Sequence, residues 1–255
     1  FTLPPMKTLL IVLGVLTALG VAAVIALQFF LGSAVTAGVN HFAPKLTQTS
    51  VVLQGASISP LTGSGTLTGL VIGNPQGWGE TPLCTLGKVH IDVAPFSLLG
   101  DHIVVNEIIV DAPEINYETK IVASNVNDLL KSVESALRSG KNTASLATTK
   151  DGKPIKVAVK KFRLTNARIR LGAGGTGMTI PMPDIELNDL GTKEGGLSPD
   201  QIVAAIVKHV AGDVVVATVK AAGDISKTGG AATAEGVKRA VEGLKGLFRD
   251  DKKKP

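Results

Sequence analysis

The side chains able to do chemistry are few and scattered. His41, His90, His102 and His209 stand alone, with no spacing that would bring two of them to one metal ion. His90 falls on the polar side of an alternating run, a solvated position. Cys84 is the only thiol, so no disulfide can close within the chain, and its setting is that of a small buried apolar residue. Asp92, Asp101, Glu107, Asp111, Glu114 and Glu118 lie at turns and polar strand positions, and none is paired as a general acid and base would be. Ser132 and Ser135 have no base in a motif with them. The glycines of "GSGTLTG", 63–69, suggest a phosphate loop, but the spacing is wrong, no Lys-Ser/Thr follows, and the run leads into a strand. The expectation is a protein that is not an enzyme, with no catalytic, cofactor-binding or metal-binding residue.

One loop and one charged segment remain. "GLVIGNPQGWG", 69–79, holds the only Trp. Asn74, Pro75 and Gly77 suit a chain reversal, because proline fixes φ and glycine tolerates positive φ. Trp78 is expected to cover the end of an apolar layer. At the other end of the chain, 231–255 places Val237, Val241, Leu244 and Phe248 on one side of a helical pattern. Lys238, Arg239, Lys245, Arg249, Lys252, Lys253 and Lys254 supply a basic flank, so this tail is a candidate contact for an anionic bilayer. Gly236, Gly243 and Gly246 weaken its helicity. The net charge of +5 is modest, and no Lys/Arg stripe alternates with aromatics, so no nucleic-acid partner is expected.

The elements that must hold these residues divide into an apolar leader and a β-rich body. Residues 8–31, from Thr8 to Leu31, carry no charge; at ~1.5 Å per residue they span roughly 36 Å, enough for a ~30 Å hydrocarbon core. That run exceeds a signal-peptide core, so it is expected to be an uncleaved signal anchor in a lipid bilayer. Lys7 precedes it and no charge follows until Lys45, which favours a cytoplasmic N-terminus and an external body. Met6 looks like a natural start, with 1–5 given no structural weight.

From Leu46 the pattern alternates with period two. Val89, Ile91 and Val93 face one way; Lys88, His90 and Asp92 face the other. "HIVVNEIIVDAPEINYE" gives two strand-length runs broken at Pro113, and the hairpin-like spacing predicts an antiparallel meander. Val126, Leu129, Leu130, Val133 and Leu137 have helical spacing, stopped by Gly140. Residues 141–153 are expected to be a flexible linker. Alternation resumes at Ile155/Val157/Val159 and at Ala167/Ile169/Leu171. It continues past Met178 and Ile180, where Pro181 and Pro183 predict an edge strand. Ser198 caps a helix opened by Pro199, with Ile202, Ile206, Val210, Val214, Ala217 and Ala221 as its apolar stripe.

The stretch from Gly65 to Glu118 carries a resemblance. It joins a strand ending in Asn-Pro-Gln-Gly-Trp to "LGKVHIDV", then "SLL", then "IVVNEIIVDAPEINYE". This resembles the AsmA-like family of bacterial envelope proteins, and the likeness extends over roughly 8–190, with "FRLTNARIRL" and "TIPMPDIELNDLG" as a second-half feature. The resemblance implies an inner-membrane anchor, a periplasmic curved sheet with an apolar inner surface, and a part in envelope lipid upkeep. The chain is far shorter than the large groove-forming members.

The expected fold class is β-rich α+β, a transmembrane helix followed by a twisted antiparallel sheet with flanking helices. The expected divisions are a cytoplasmic stub (1–7), the anchor (8–32), a juxtamembrane linker (33–44), the AsmA-like domain (45–230) and the tail (231–255). Two functions are open. One is a module binding a lipid or other apolar ligand on the sheet or beneath the helix that Ser198 opens. The other is an accessory subunit of an inner-membrane protein complex.

Overall fold

The computed structural model describes residues 6–120, 123–139, 152, 154–172, 177–193 and 195–227. The first helix, α1 (Met6–Thr47), is 42 residues long, or about 63 Å at the helical rise. From Lys7 to Phe30 its side chains are exposed except Val24, and from Leu31 onward one side becomes partly buried as the helix meets the body. Residues 33–44, expected as a linker, are therefore the continuation of the apolar helix. No stop intervenes: Gly32 and Gly38 are tolerated mid-helix, and the chain leaves the helix only at Gln48, whose φ is 57°.

The body is a curled mixed sheet, a half-barrel, with a few helices. Its strands are β1 (Val51–Ile58), β2 (Ser64–Ile72), β3 (Cys84–Val93), β4 (His102–Asp111), β5 (Glu114–Tyr117), β6 (Lys156–Thr165), β7 (Arg168–Leu171), β8 (Met178–Pro181) and β9 (Ile185–Leu190). A short 3₁₀ turn, Pro95–Leu99, joins β3 to β4. β1 to β4 form an antiparallel meander. The next pairings are parallel, β4 with β6 and β5 with β7, which corrects the expected wholly antiparallel sheet. The reason is the crossover: α2 (Asn125–Ser139) lies between β5 and β6, so β6 starts beside the start of β4. β8 and β9 pair only with β7 and β6, so the proline-bearing segment is at an edge, as its missing N–H groups require.

The nine strands act as six long ones. β3 pairs with β4 and then β5 in one continuous register. The same continuity holds from β4–β5 to β6–β7, and from β6–β7 to β9–β8. The interruptions align into a crease. Ala112 (φ 49°) and Asn166 (φ 55°) occupy equivalent places in neighbouring strands, and Gly69 (φ 62°) lies on the same line in β2. The left-handed Ala112 and Asn166 swivel the pleat, so buried positions step by three from Val110 to Pro113 and from Leu164 to Ala167, and the adjoining edge segment makes the same step from Met182 to Ile185. The apolar side stays inward on both halves, and the sheet curls.

The inner face is covered by α2 and α3 (Pro199–Lys227). α2 begins at Ser124, whose Oγ accepts the Asn127 N–H at 3.2 Å, and it buries Val126, Leu129, Leu130, Val133 and Ala136. In α3, the Ser198 N–H donates to Gln201 Oε1 at 3.0 Å, the reciprocal half of a capping box. Ala211, Val215 and Thr218 join Ile202, Val214 and Ala217 in burial, while Ile206, Val210 and Ala221 are half-buried. This stripe is wider than the sequence spacing shows. The outer face is polar. Arg163 pairs with Glu107 at 3.0 Å, Lys161 with Glu186 at 3.3 Å and Arg170 with Glu114 at 3.0 Å, all partly exposed.

Candidate functional site

Two helices are long and apolar enough to cross a membrane, α1 and the segment Pro199–Ala221 of α3. They differ in burial: none of the apolar window of α1 is buried, whereas α3 packs into the core through Ile202, Ala211 and Val214. α3 thus has one packed face and leaves Val203 and Val216 exposed, whereas α1 exposes nearly every apolar side chain up to Phe30.

α1 runs back along the free edge of β1. Asn40 imitates a peptide group there: its Oδ1 accepts the Leu53 N–H at 2.6 Å and its Nδ2 donates to the Leu53 carbonyl at 3.0 Å. Gln28 Nε2 donates to Ser57 Oγ at 3.2 Å. Gly32 allows this closeness, because a Cβ there would strike the Ala56 carbonyl. The helix thus covers an edge that would otherwise invite pairing with another chain. Between helix and strand lies a groove of about 620 Å³ lined by Phe29, Ser33, Thr36 and Ala37 on α1 and by Gln54 and Ser57 on β1. It joins one aromatic ring to neutral amides and hydroxyls, and none of its lining residues is charged.

On the far side of the crease, Cys84, Ile115, Tyr117, Ile169 and Ile180 are buried, and Ile72, Leu86 and Leu171 are half-buried. Burial pushes the Cys84 thiol up to about 12, so no thiolate nucleophile forms at neutral pH. Burial also raises the Tyr117 hydroxyl, and a hydrogen bond with Ser124 opposes that shift. On the near side, toward the apolar stretch of α1, Val89, Val93, Val105, Val159 and Phe162 are buried, and the inward residues Leu67, Ile91, Ile103, Ile108 and Val157 beside them are half-buried. Leu98 of the 3₁₀ turn packs beside them. The larger set of half-buried inward side chains thus lies toward α1 and forms an apolar mouth at the end where α1 leaves the body.

Asn74, Pro75, Gly77 and Trp78 lie at the opposite end, in the 73–83 loop between β2 and β3. Gly77 has φ 88°, and the Trp78 N–H reaches the Pro75 carbonyl at 3.3 Å, closing the expected turn. Trp78 also has polar partners. Its Nε1 donates to Asp128 Oδ2 at 3.0 Å, and Lys120 Nζ stands 4.6 Å from the ring centre. Asn74 Nδ2 donates to the Gly79 and Thr81 carbonyls at 3.0 and 2.9 Å and to Glu118 Oε1 at 3.2 Å. Asn125 Nδ2 donates to Asn74 Oδ1 at 2.8 Å and to the Asn116 carbonyl at 2.7 Å. These contacts pin the loop to the start of α2. They join residues far apart in sequence, which is why the sequence shows the turn but not the clamp.

The four histidines are all exposed, each on a different element or loop. The tail residues Lys238, Arg239, Lys245, Arg249, Lys252, Lys253 and Lys254 and most of the 141–153 segment lie outside the described residues. No family model, no curated protein and no solved structure matches the chain.

Proposed function

We propose that this chain is a membrane-anchored, non-enzymatic envelope protein that takes a lipid acyl chain into the open mouth of its half-barrel. α1 is the single-pass anchor in a bacterial inner membrane, the body lies on the periplasmic side, and the module is AsmA-like. The observation carrying this reading is a cluster of inward apolar side chains left half-buried toward the end nearest the apolar helix: Leu67, Ile91, Ile103, Ile108 and Val157. An acyl chain leaving the bilayer beside α1 would meet this surface first and would bury it.

The test is native mass spectrometry of the full chain extracted in mild detergent, since the second half of α1 is part of the body. Retained lipid is expected, together with its loss in Ile108→Glu or Leu67→Glu when circular dichroism shows the fold intact. A full chain that is consistently empty would overturn the reading. If it then co-purified stoichiometrically with an integral membrane protein, the accessory-subunit function would replace it.

A further inference from the structure

The two most exposed large apolar side chains outside α1 among the described residues are Phe96, 87% exposed, and Leu61, 72% exposed. They are distant in sequence but lie on touching loops. Leu61 is in the 59–63 turn between β1 and β2, and Phe96 is in the 3₁₀ turn Pro95–Leu99. The Val93 N–H donates to the Gly63 carbonyl at 3.0 Å, and Gly63 packs so closely on Val93 and Pro95 that a Cβ would collide with the Val93 carbonyl. Gly63 has φ 73°, so the contact uses both its missing side chain and its left-handed backbone. Leu98 packs into the core and holds the 3₁₀ turn in place.

This rim has a definite position relative to α1. β1 runs antiparallel to the helix, with Leu53 at Asn40, Ala56 at Gly32 and Ser57 at Gln28. The turn after Ile58 therefore continues past Gln28 toward the N-terminal, wholly apolar part of α1. Phe29 and Phe30, 74% and 69% exposed, stand at nearly the same level. Neither "SPLTG", 59–63, nor "PFSLL", 95–99, contains a charged residue, so the entry of these two turns into a lipid interface would strip no ion of its water; the exposed Asp101 of the same connection lies beyond Gly100, just before the start of β4. Single exposed apolar residues are ordinary, but two on adjoining turns that carry no charge, level with the end of an apolar helix, form a surface with one direction.

We infer that this rim is a second membrane contact: Leu61 and Phe96 enter the interfacial zone of the same bilayer that α1 crosses. They hold the mouth of the half-barrel against the lipid surface. The inference rests on α1 being a transmembrane span and does not require a lipid to occupy the mouth.

The test uses the full chain reconstituted in phosphatidylcholine–phosphatidylglycerol vesicles. Single cysteines at Leu61, Phe96, Gln76 and Val15 are labelled with an environment-sensitive nitrobenzoxadiazole dye under native conditions, where buried Cys84 should take no label and the parent chain is the blank. Lipids spin-labelled near the headgroup serve as shallow quencher, and lipids labelled deep in the acyl chain as deep quencher. Labels at Leu61→Cys and Phe96→Cys should be blue-shifted and quenched by the shallow probe, while Gln76→Cys in the distal 73–83 loop should be neither. Val15→Cys should be quenched by the deep probe. If positions 61 and 96 match position 76 while position 15 is quenched, the rim contact is wrong and the span stands. If position 15 escapes quenching, the span reading fails and the rim contact fails with it.

Discussion

At the scale of residues, the best-connected buried polar side chain among the described residues is that of Asn125, which is 0% exposed. Its Oδ1 accepts the N–H of Glu118 at 3.0 Å and of Val126 at 2.9 Å, while its Nδ2 serves Asn74 and Asn116. Asn125→Ala would leave buried groups on three segments unpaired, and we expect a loss of about 3 kcal/mol in urea unfolding. Asn125→Asp should also destabilise, because its second oxygen would face the Asn74 and Asn116 oxygens; wild-type stability in either variant would show that the clamp is incidental. Cys84 gives a second test. With the thiol pushed up to about 12 in a buried site, iodoacetamide at pH 8 should leave the folded protein unmodified and alkylate it only on unfolding. Rapid labelling of the native state would mean that the distal core opens. The Asn74-Pro75-Gly77 turn was legible from its residues because a turn is local chemistry. The clamp was not, because Asn74, Glu118 and Asn125 meet only after the sheet and α2 are in place.

At the scale of elements, the seam between α1 and β1 depends on Gly32. Gly32→Val would drive a side chain into the Ala56 backbone and cost about 2 kcal/mol as overpacking. Hydrogen exchange at the Leu53 amide, held by Asn40, should accelerate more than exchange in β3. A uniform change would argue against a local seam. The crease carries a different test. Thr165 Oγ1 and Asn166 Nδ2 donate to Asp111 Oδ1 at 3.1 and 2.7 Å. The Asn166 bond first, and then the Thr165 bond, lower the Asp111 carboxyl below its ordinary value. A lowered native value gives stability that is present above the ordinary carboxylate range and is lost as pH falls through the folded value. The gap between wild type and Asp111→Asn should therefore be fullest at pH 7 and close toward pH 3; a constant gap would remove the carboxylate from the account. The strands and α2 were readable from their periods. The parallel pairing was not, since which strand receives β6 is decided by where α2 packs. The continuation of α1 was also hidden, because apolar periodicity ends near Leu31 and Gly32, Gly38 and Pro44 look like breakers.

At the scale of the whole molecule, one axis orders the features. The apolar part of α1 leaves the body at the end that carries the half-open mouth and the Leu61–Phe96 rim, and the clamped 73–83 loop lies at the far end. If α1 crosses the bilayer, the mouth must face the membrane and the Trp78 loop must point away from it. The charge pattern selects the side: Lys7 stands before the apolar run, and no charged residue follows until Lys45. By the positive-inside tendency, the proposed orientation keeps the N-terminus in the cytoplasm and puts the body outside. Protease added to intact spheroplasts should therefore degrade the body and leave a membrane-embedded fragment containing the start of α1. Cleavage should begin at exposed distal segments before it reaches the seam, where Asn40 and Gln28 hold β1 to the helix. A body that is digested only after the inner membrane is breached would reverse the orientation. A body released intact by alkaline carbonate, without any protease, would show that α1 is no anchor, and the shared direction of mouth and rim would then need a different partner.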